Sequence, residues 1–335
     1  MKHLFVINSH TTFMTAMGVI DYKKLLHKDV ILVYTRNYVN SVKDEDLLSV
    51  DLSEENDICN LEAYRNKHGL KKCIALIDAR INDFIHESYE LYFPHLQLLM
   101  CQLLYTNSFC IRGSYLQEGA ICQPNKFISK FSWYDKIKNY IFSLTWHTHR
   151  LVRPLAWYQP NHLSKQSEID SYSLSADFFR YLPSNNHIIK WPKYEINQTF
   201  PENSRIFIFD GYVNNGLLEL DYYMNVCKQV IKNNASEVNY LKFHPAQSKD
   251  EMNMIISIFK QFSLKTLMFD SSVPFEAILS SSQKLNIVGF SSSLLKFAYD
   301  LGHNVSVNDY LLKQSRLYSK HIESSGFPYM SDIIK

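Results

Sequence analysis

Three short groups of residues in this chain have the make-up and the placement to do chemistry on a bound ligand. His244 ends the run Val238-Asn239-Tyr240-Leu241-Lys242-Phe243-His244-Pro245. This reads as a buried strand stopped by Pro245, which has no N–H for the ladder. Ser248 stands three residues before Glu251, a capping-box spacing, and Met252, Ile255, Ile256 and Phe259 then follow a helical period. His244 therefore belongs at the carboxyl end of a strand, the edge where open α/β sheets bind ligands. The alternative is a histidine that closes a strand through a hydrogen bond. Ser291-Ser292-Ser293 lies between a strand ending at Gly289 and a helix running from Leu294. Free N–H groups, the helix dipole and hydroxyls make such a start an anion site, although one serine would suffice as a simple cap. Arg112-Gly113-Ser114-Tyr115-Leu116-Gln117-Glu118-Gly119-Ala120 places a carboxylate in a loop after an apolar strand, or else forms an ordinary turn.

The elements that must carry these groups alternate in type. Leu4–Ile7, Val30–Tyr34, Ile74–Ile77 and Phe109–Ile111 are expected as strands, with one buried helix over Glu90–Tyr105 despite Pro94. Residues 159–203 are polar and hold Pro160, Pro183, Pro192 and Pro201. They read as an interdomain linker interrupted by a short strand near Asp170–Ser175. Alternation then restarts with Arg205–Phe209, a helix through Leu220–Ile231, the His244 unit, Thr266–Phe269, a short helix at Pro274-Phe275-Glu276 and Leu285–Val288. The fold class is α/β with parallel sheets, in two domains: 1–185, 200–320, and a tail at 321–335. A cleft between them would be a preferred ligand site.

Composition narrows the function classes. The chain has 335 residues, 46% of them hydrophobic, and a formal net charge of +2, so there is material for two cores and no global case for a nucleic-acid partner. Six scattered cysteines without a C-x-x-C pair fit a reducing, cytoplasmic setting. The first apolar run is too short for a signal peptide, and no run reaches the length of a membrane span. No P-loop and no G-x-G-x-x-G is present. Asp44-Glu45-Asp46 reads as solvated acidic surface rather than a metal site, and His147 and His149 have the wrong spacing for a metal pair on a helix. Residues 126–158 set Lys126, Lys130, Lys136, Lys138, Arg150 and Arg153 against a lone Asp135, interleaved with Phe127, Phe131, Trp133, Tyr134, Tyr140, Phe142, Trp146 and Trp157. Such a stretch suits peripheral contact with an anionic membrane surface, or a helix packed on its domain with lysines snorkelling outward.

The order Gln117-Glu118-Gly119, His244-Pro245 and Ser292-Ser293-Leu294 resembles the bacterial sialyltransferases of capsules, lipooligosaccharides and O-antigens, with their D/E-D/E-G, HP and S-S/T motifs. The resemblance implies a GT-B fold, two Rossmann-like domains facing across a cleft, the first on the acceptor side and the second holding the nucleotide sugar. It implies inverting transfer of N-acetylneuraminic acid from CMP to a lipid-linked glycan, with terminal galactose and an α2,3 bond as the expected acceptor and linkage. No cofactor and no metal are implied, because the leaving group carries one phosphate. Glu118 is then the general base and His244 the general acid or phosphate stabiliser. Gln117, Gly119, Pro245, Ser291, Ser292 and Ser293 are expected to contact substrate, and Glu276 to accept ribose hydroxyls or to serve as an N-terminal helix acid. The first position of the acidic motif is Gln117, so Glu118 carries the charge there unless the loop is shifted or Asp210 takes the role. Other donors (CMP-Kdo or a UDP-sugar) and a non-catalytic glycan-binding protein are the competing readings.

Overall fold

Runs of β-branched and aromatic residues become the strands. A computed structural model describes residues 1–38, 46–63, 65–96, 98–119, 137, 140–141, 144–146, 150, 169–179, 184–195, 200–269, 273–325 and 328–334. Two compact units emerge. The first comprises residues 1–118 with 125–191, the second 119–124 with 192–335.

In the first unit, β1 (Lys2–Ile7), β2 (Val30–Tyr34), β3 (Leu48–Asp51), β4 (Tyr89–Phe93), β5 (Cys110–Leu116), β6 (Ile169–Ser173) and β7 (Ser184–Ile188) pair in parallel in the order β3-β2-β1-β4-β5-β6-β7. α1 (His10–Lys23), α2 (Ser53–Glu62), α3 (Lys67–Phe84) and α4 (Leu99–Thr106) supply the connections. Leu4, Val6, Leu91 and Phe93 share one core with Cys59 of α2, Leu70, Cys73, Ile74, Ile77 and Ile81 of α3, and Leu103 and Leu104 of α4. The opposite face meets α1: Phe5 stacks on Tyr92 at 4.2 Å, and Lys23 donates to the Tyr92 hydroxyl.

Three expectations fail here. Ile74–Ile77 is not a strand but the buried stripe of α3, its neighbours Leu70 and Ile81 completing a helical period. Glu90–Tyr105 is not one helix. A parallel strand buried on both faces is apolar at every position and so mimics a buried helix. Here β4 is followed at once by Pro94, and α4 starts only at Leu99. The stretch 159–203 is not a linker around a single short strand: the expected strand is present as β6, but the polar β7 follows it, and both extend the first sheet.

One row of side chains crosses this sheet with basic and acidic residue types in alternation. His3, Glu90, Arg112, Asp170 and His187 come from β1, β4, β5, β6 and β7. His3 lies 3.6 Å from Glu90, Arg112 3.2 Å from Glu90 and 2.5 Å from Asp170, and His187 3.1 Å from Asp170. Lys23 adds a second cation to Glu90, whose side chain is 2% exposed.

In the second unit, β8 (Arg205–Phe209), β9 (Val238–Phe243), β10 (Lys265–Met268), β11 (Asn286–Gly289) and β12 (Asn304–Val307) pair in parallel in the order β10-β9-β8-β11-β12. They are linked by α5 (Leu220–Asn234), α6 (Lys249–Gln261), α7 (Phe275–Ser281) and α8 (Ser293–Asp300), and followed by α9 (Arg316–Ser325) and α10 (Met330–Ile333). Phe207, Phe209, Leu241 and Phe243 pack against Tyr223, Cys227 and Val230 of α5, Ile255 and Phe259 of α6, and Tyr318 of α9. Residues 321–335, read from sequence as a tail, are grouped with this unit.

Candidate active site

Each sheet has a switch point. In the first, the chain leaves β1 toward β2 and returns on the other side at β4; in the second, it leaves β8 toward β9 and returns at β11. The gap between such strands opens a ligand site at their carboxyl ends.

At the first edge, Ser9 caps α1 in a capping box with Thr12. The Thr12 hydroxyl donates to Oδ1 of Asn8, which orients the Asn8 amide so that Nδ2 donates to Glu118 Oε1 at 2.7 Å. His95, just past Pro94, brings Nε2 to 3.0 Å from Glu118 Oε2. Arg36, in the left-handed region (φ 62°) after β2, holds a guanidinium nitrogen 3.8 Å from the same carboxylate. Burial pushes the Glu118 carboxyl up, but His95, Asn8 and Arg36 outweigh it and hold the group below its usual range. Gln117 turns the other way. It is 1% exposed, and its carboxamide oxygen accepts from Leu174 N at 2.7 Å. Alternation along the chain therefore puts Gln117 inside and Glu118 at the edge. A Cβ on Gly119 would meet open space.

At the second edge, His244 follows β9 in a tight loop. Its N–H donates to Phe209 O and to Gln247 Oε1, and Gln247 donates in turn to the buried Glu251. Ser248 caps α6 by accepting from Glu251 N, the contact its spacing predicted. Ala246 N–H donates to His244 Nδ1 at 3.0 Å. Nδ1 is thus an acceptor, and the neutral ring carries its hydrogen on Nε2. Burial and the Lys242 charge both lower the His244 pKa, which favours that neutral form. Pro245 lies exposed in the same loop.

Ser292 occupies the N-cap position of α8 without a side-chain capping hydrogen bond, and Ser293 is the first residue of the helix. Ser291 faces inward, accepting from Tyr318 at 2.9 Å and sharing a 2.6 Å contact with the Tyr212 hydroxyl. Tyr212 also donates to Asp210 Oδ2 at 3.0 Å. Asp210 follows β8, and its carboxylate is hydrogen-bonded by the Ser292 side chain and the Ser291 backbone. Burial pushes it up to about 6 against these donors and Lys242. Glu276 sits in the first turn of α7 and is coupled electrostatically to Lys242.

Glu118, His244, Glu276 and the serines, expected at strand ends or helix starts, lie there. Not expected were Asn8, Arg36 and His95, which reach Glu118 from three other strands, and Lys242, whose place inside a strand gave no sign of a site. Among the described residues no group of histidine, cysteine, aspartate or glutamate could hold a metal ion. Asp44 and Glu45, like His147 and His149, lie outside the described residues.

The alpha-2,8-polysialyltransferase (POLYST) family model matches residues 89–308, about two thirds of the chain. The chain belongs to that family. Glu118, Asp210, His244, Glu276 and the three serines all fall inside the matched region of the polysialyltransferase model. No curated protein matches the chain. Among solved structures, a Staphylococcus aureus MnaA–UDP complex is similar at TM-score 0.52 and 10% identity, covering 92% of this chain and 79% of that one. A Rickettsia africae glycosyltransferase (TM-score 0.47, 12% identity, 97% and 92% covered) and the spinosyn rhamnosyltransferase SpnG (0.49, 10%, 97% and 84%) are also similar. At these identities the likeness concerns the fold, which is GT-B. The polysialyltransferase-family chain is thus a glycosyltransferase of sialyltransferase type.

Proposed function

We propose that the protein is an inverting sialyltransferase that uses CMP-activated N-acetylneuraminic acid. The observation that carries this reading is the pair of strand-end constellations within one sialyltransferase family match: an ionised carboxylate at the first switch point, and a histidine with an uncapped serine helix start at the second. Glu118 accepts the proton of the attacking hydroxyl. His244 donates from Nε2–H to the phosphate that departs with CMP, and Ser292 and Ser293 at the start of α8 add donors to it. Glu276 accepts the ribose hydroxyls. The leaving group carries one phosphate, so these side chains suffice without a divalent ion.

The resemblance suggested a galactose acceptor and an α2,3 linkage on a lipid-linked glycan. The family's name suggests instead a sialylated acceptor joined α2,8. Arg36 beside Glu118 favours the second, since a cation next to the base would receive an acceptor carboxylate. The deciding experiment measures CMP release from CMP-N-acetylneuraminic acid by purified protein in EDTA, with galactose-terminated and with sialylated acceptors. Release that needs the sialylated acceptor and falls at least 100-fold in His244→Ala supports the reading. Full activity in that variant removes His244 from the mechanism. Turnover only with CMP-Kdo or a UDP-sugar changes the donor, and turnover with none leaves a glycan-binding protein.

Peripheral membrane contact belongs to the same proposal. Most of 126–158 lies outside the described residues. Those that are described include helical Ile137, Tyr140, Ile141 and Leu144, each at least 43% exposed and spaced as one helix face. Trp146 packs on the first core. Arg150, expected on the outer basic face, is instead buried, pairing with Asp78 and donating to Leu103 O and to Thr106 Oγ1 at 2.9 Å. The stretch is thus anchored at one end while its apolar face and its lysines suit an anionic bilayer. Among the described residues no helix is long and apolar enough to cross a membrane. Co-sedimentation with anionic vesicles, lost when the four apolar residues become serine, is the expected result.

A further inference from the structure

We propose that Asp210 carries the proton that meets the departing phosphate. The inference rests on the sialyltransferase reading and assigns a residue to the step His244 is poorly set up to perform. The Ala246 N–H occupies His244 Nδ1, so the ring is held as a neutral hydrogen-bond donor. A neutral imidazole stabilises a phosphate but does not protonate it at neutral pH.

Asp210 stands at the other strand of the same edge. The Tyr212 hydroxyl that donates to its carboxylate also meets Ser291 Oγ at 2.6 Å and accepts from Ser291 N at 3.1 Å, which ties Asp210 to the residues that open α8 and to any phosphate bound there. The groups facing it come from every neighbouring element. Tyr212 in its own loop donates to Oδ2, and Tyr223 of α5 donates to its backbone oxygen. Tyr318 of α9 reaches it through Ser291. Lys242 of β9 is the cation, and its charge is shared with Glu276 of α7. The direct contacts are neutral hydroxyls and amides, and among the described residues the cation acting on it, Lys242, is divided between two carboxylates. A carboxyl group so placed holds its proton far longer than one in water, which agrees with its value of about 6. A phosphate monoester takes its second proton near pH ~6, so transfer between the two is close to even. A bound phosphate anion pushes Asp210 further toward the protonated form.

The step balances. The acceptor oxygen bonds to the anomeric carbon and gives its proton to Glu118. The bond from that carbon to the phosphate oxygen breaks, and its electron pair stays on the oxygen. The Asp210 proton moves to that oxygen. Asp210 is reprotonated from solvent, and Glu118 releases its proton there.

The test uses CMP as probe and the whole protein. Calorimetric titration at pH 7 in buffers of differing ionisation enthalpy counts protons taken up on binding. Wild type is expected to take up close to one proton more than Asp210→Asn. Equal uptake, with CMP bound to both, overturns the proposal while leaving the donor reading intact. No CMP binding to wild type overturns both. Tyr212→Phe supplies an independent variant. It removes a hydrogen bond that favours the ionised carboxylate, so the basic limb of the kcat–pH profile moves to higher pH. An unmoved limb overturns the proposal. In Asp210→Asn, kcat falls by about 100-fold or more, the basic limb flattens and donor KM stays within a few-fold.

Discussion

Each sheet carries a carboxylate at its carboxyl edge, Glu118 after β5 and Asp210 after β8, and the two edges treat it in opposite ways. Glu118 is met by a histidine, an arginine and an asparagine amide, and ionises more readily than in water. Asp210 is met by a tyrosine hydroxyl, a serine hydroxyl and a backbone amide, and keeps its proton up to about pH 6. Position at a carboxyl edge makes a carboxylate available; the charge of its neighbours decides whether it accepts or delivers a proton.

Neutralising each residue tests the contrast most severely. Glu118→Gln is expected to lower kcat by roughly 100- to 10,000-fold; an activity within 10-fold of wild type would end its role as base. The same variant loses stability at pH 7 by about 1–3 kcal/mol, the worth of hydrogen bonds to a charged group. A carboxyl with a depressed folded pKa stabilises above its unfolded value and loses that benefit as pH falls through the folded value, so the difference from wild type shrinks in acid. Asp210→Asn has the opposite sign. With the folded value raised from 3.8 to about 6, wild-type stability falls as pH rises through that window and stays reduced above it. The variant therefore gains up to ~3 kcal/mol at pH 8 and almost nothing at pH 4. Melting temperatures of the two variants at both pH values check the pair. A smaller effect follows from the partners. His95→Gln weakens the field on Glu118, so the acid limb of the kcat/KM profile moves up by about one pH unit. The smallest concerns the His244 loop. Gln247→Leu removes the acceptor for His244 N–H and should cost about 10-fold in kcat, with the protein still binding CMP.

The legible parts of the molecule were those where one segment carries its own signal. Val30–Tyr34 and Arg205–Phe209 are strands with the limits their apolar runs predicted, and the Ser248–Glu251 spacing announced α6. β7 was hidden because Ser184-Asn185-Asn186-His187-Ile188 is polar, as only an edge strand can be. α3 was hidden in part because Ile74-Ala75-Leu76-Ile77, taken alone, has no helical period. His244 could be placed from its own neighbours. The surroundings of Glu118 could not, because Asn8 lies 110 residues away in the chain and meets it only once the sheet has formed. The proton occupancy of Asp210 was likewise out of reach, since it depends on hydroxyls from Tyr212 and Ser292 rather than on its own sequence context.

The charged row across the first sheet bears on how this chain can vary. Strands buried on both faces offer little to distinguish one register from the next. Here each of five strands adds one ionisable side chain, and each meets an opposite or titratable partner on the next strand. Sliding one strand by a single residue would send its charge to the other face, into the packing of α2, α3 and α4, where an unpaired ion is costly. Changing one member alone leaves its neighbours uncompensated in the same way. Related chains should therefore alter His3, Glu90, Arg112, Asp170 and His187 in coordinated pairs, and this row would appear in their lineages as a block inherited or replaced together.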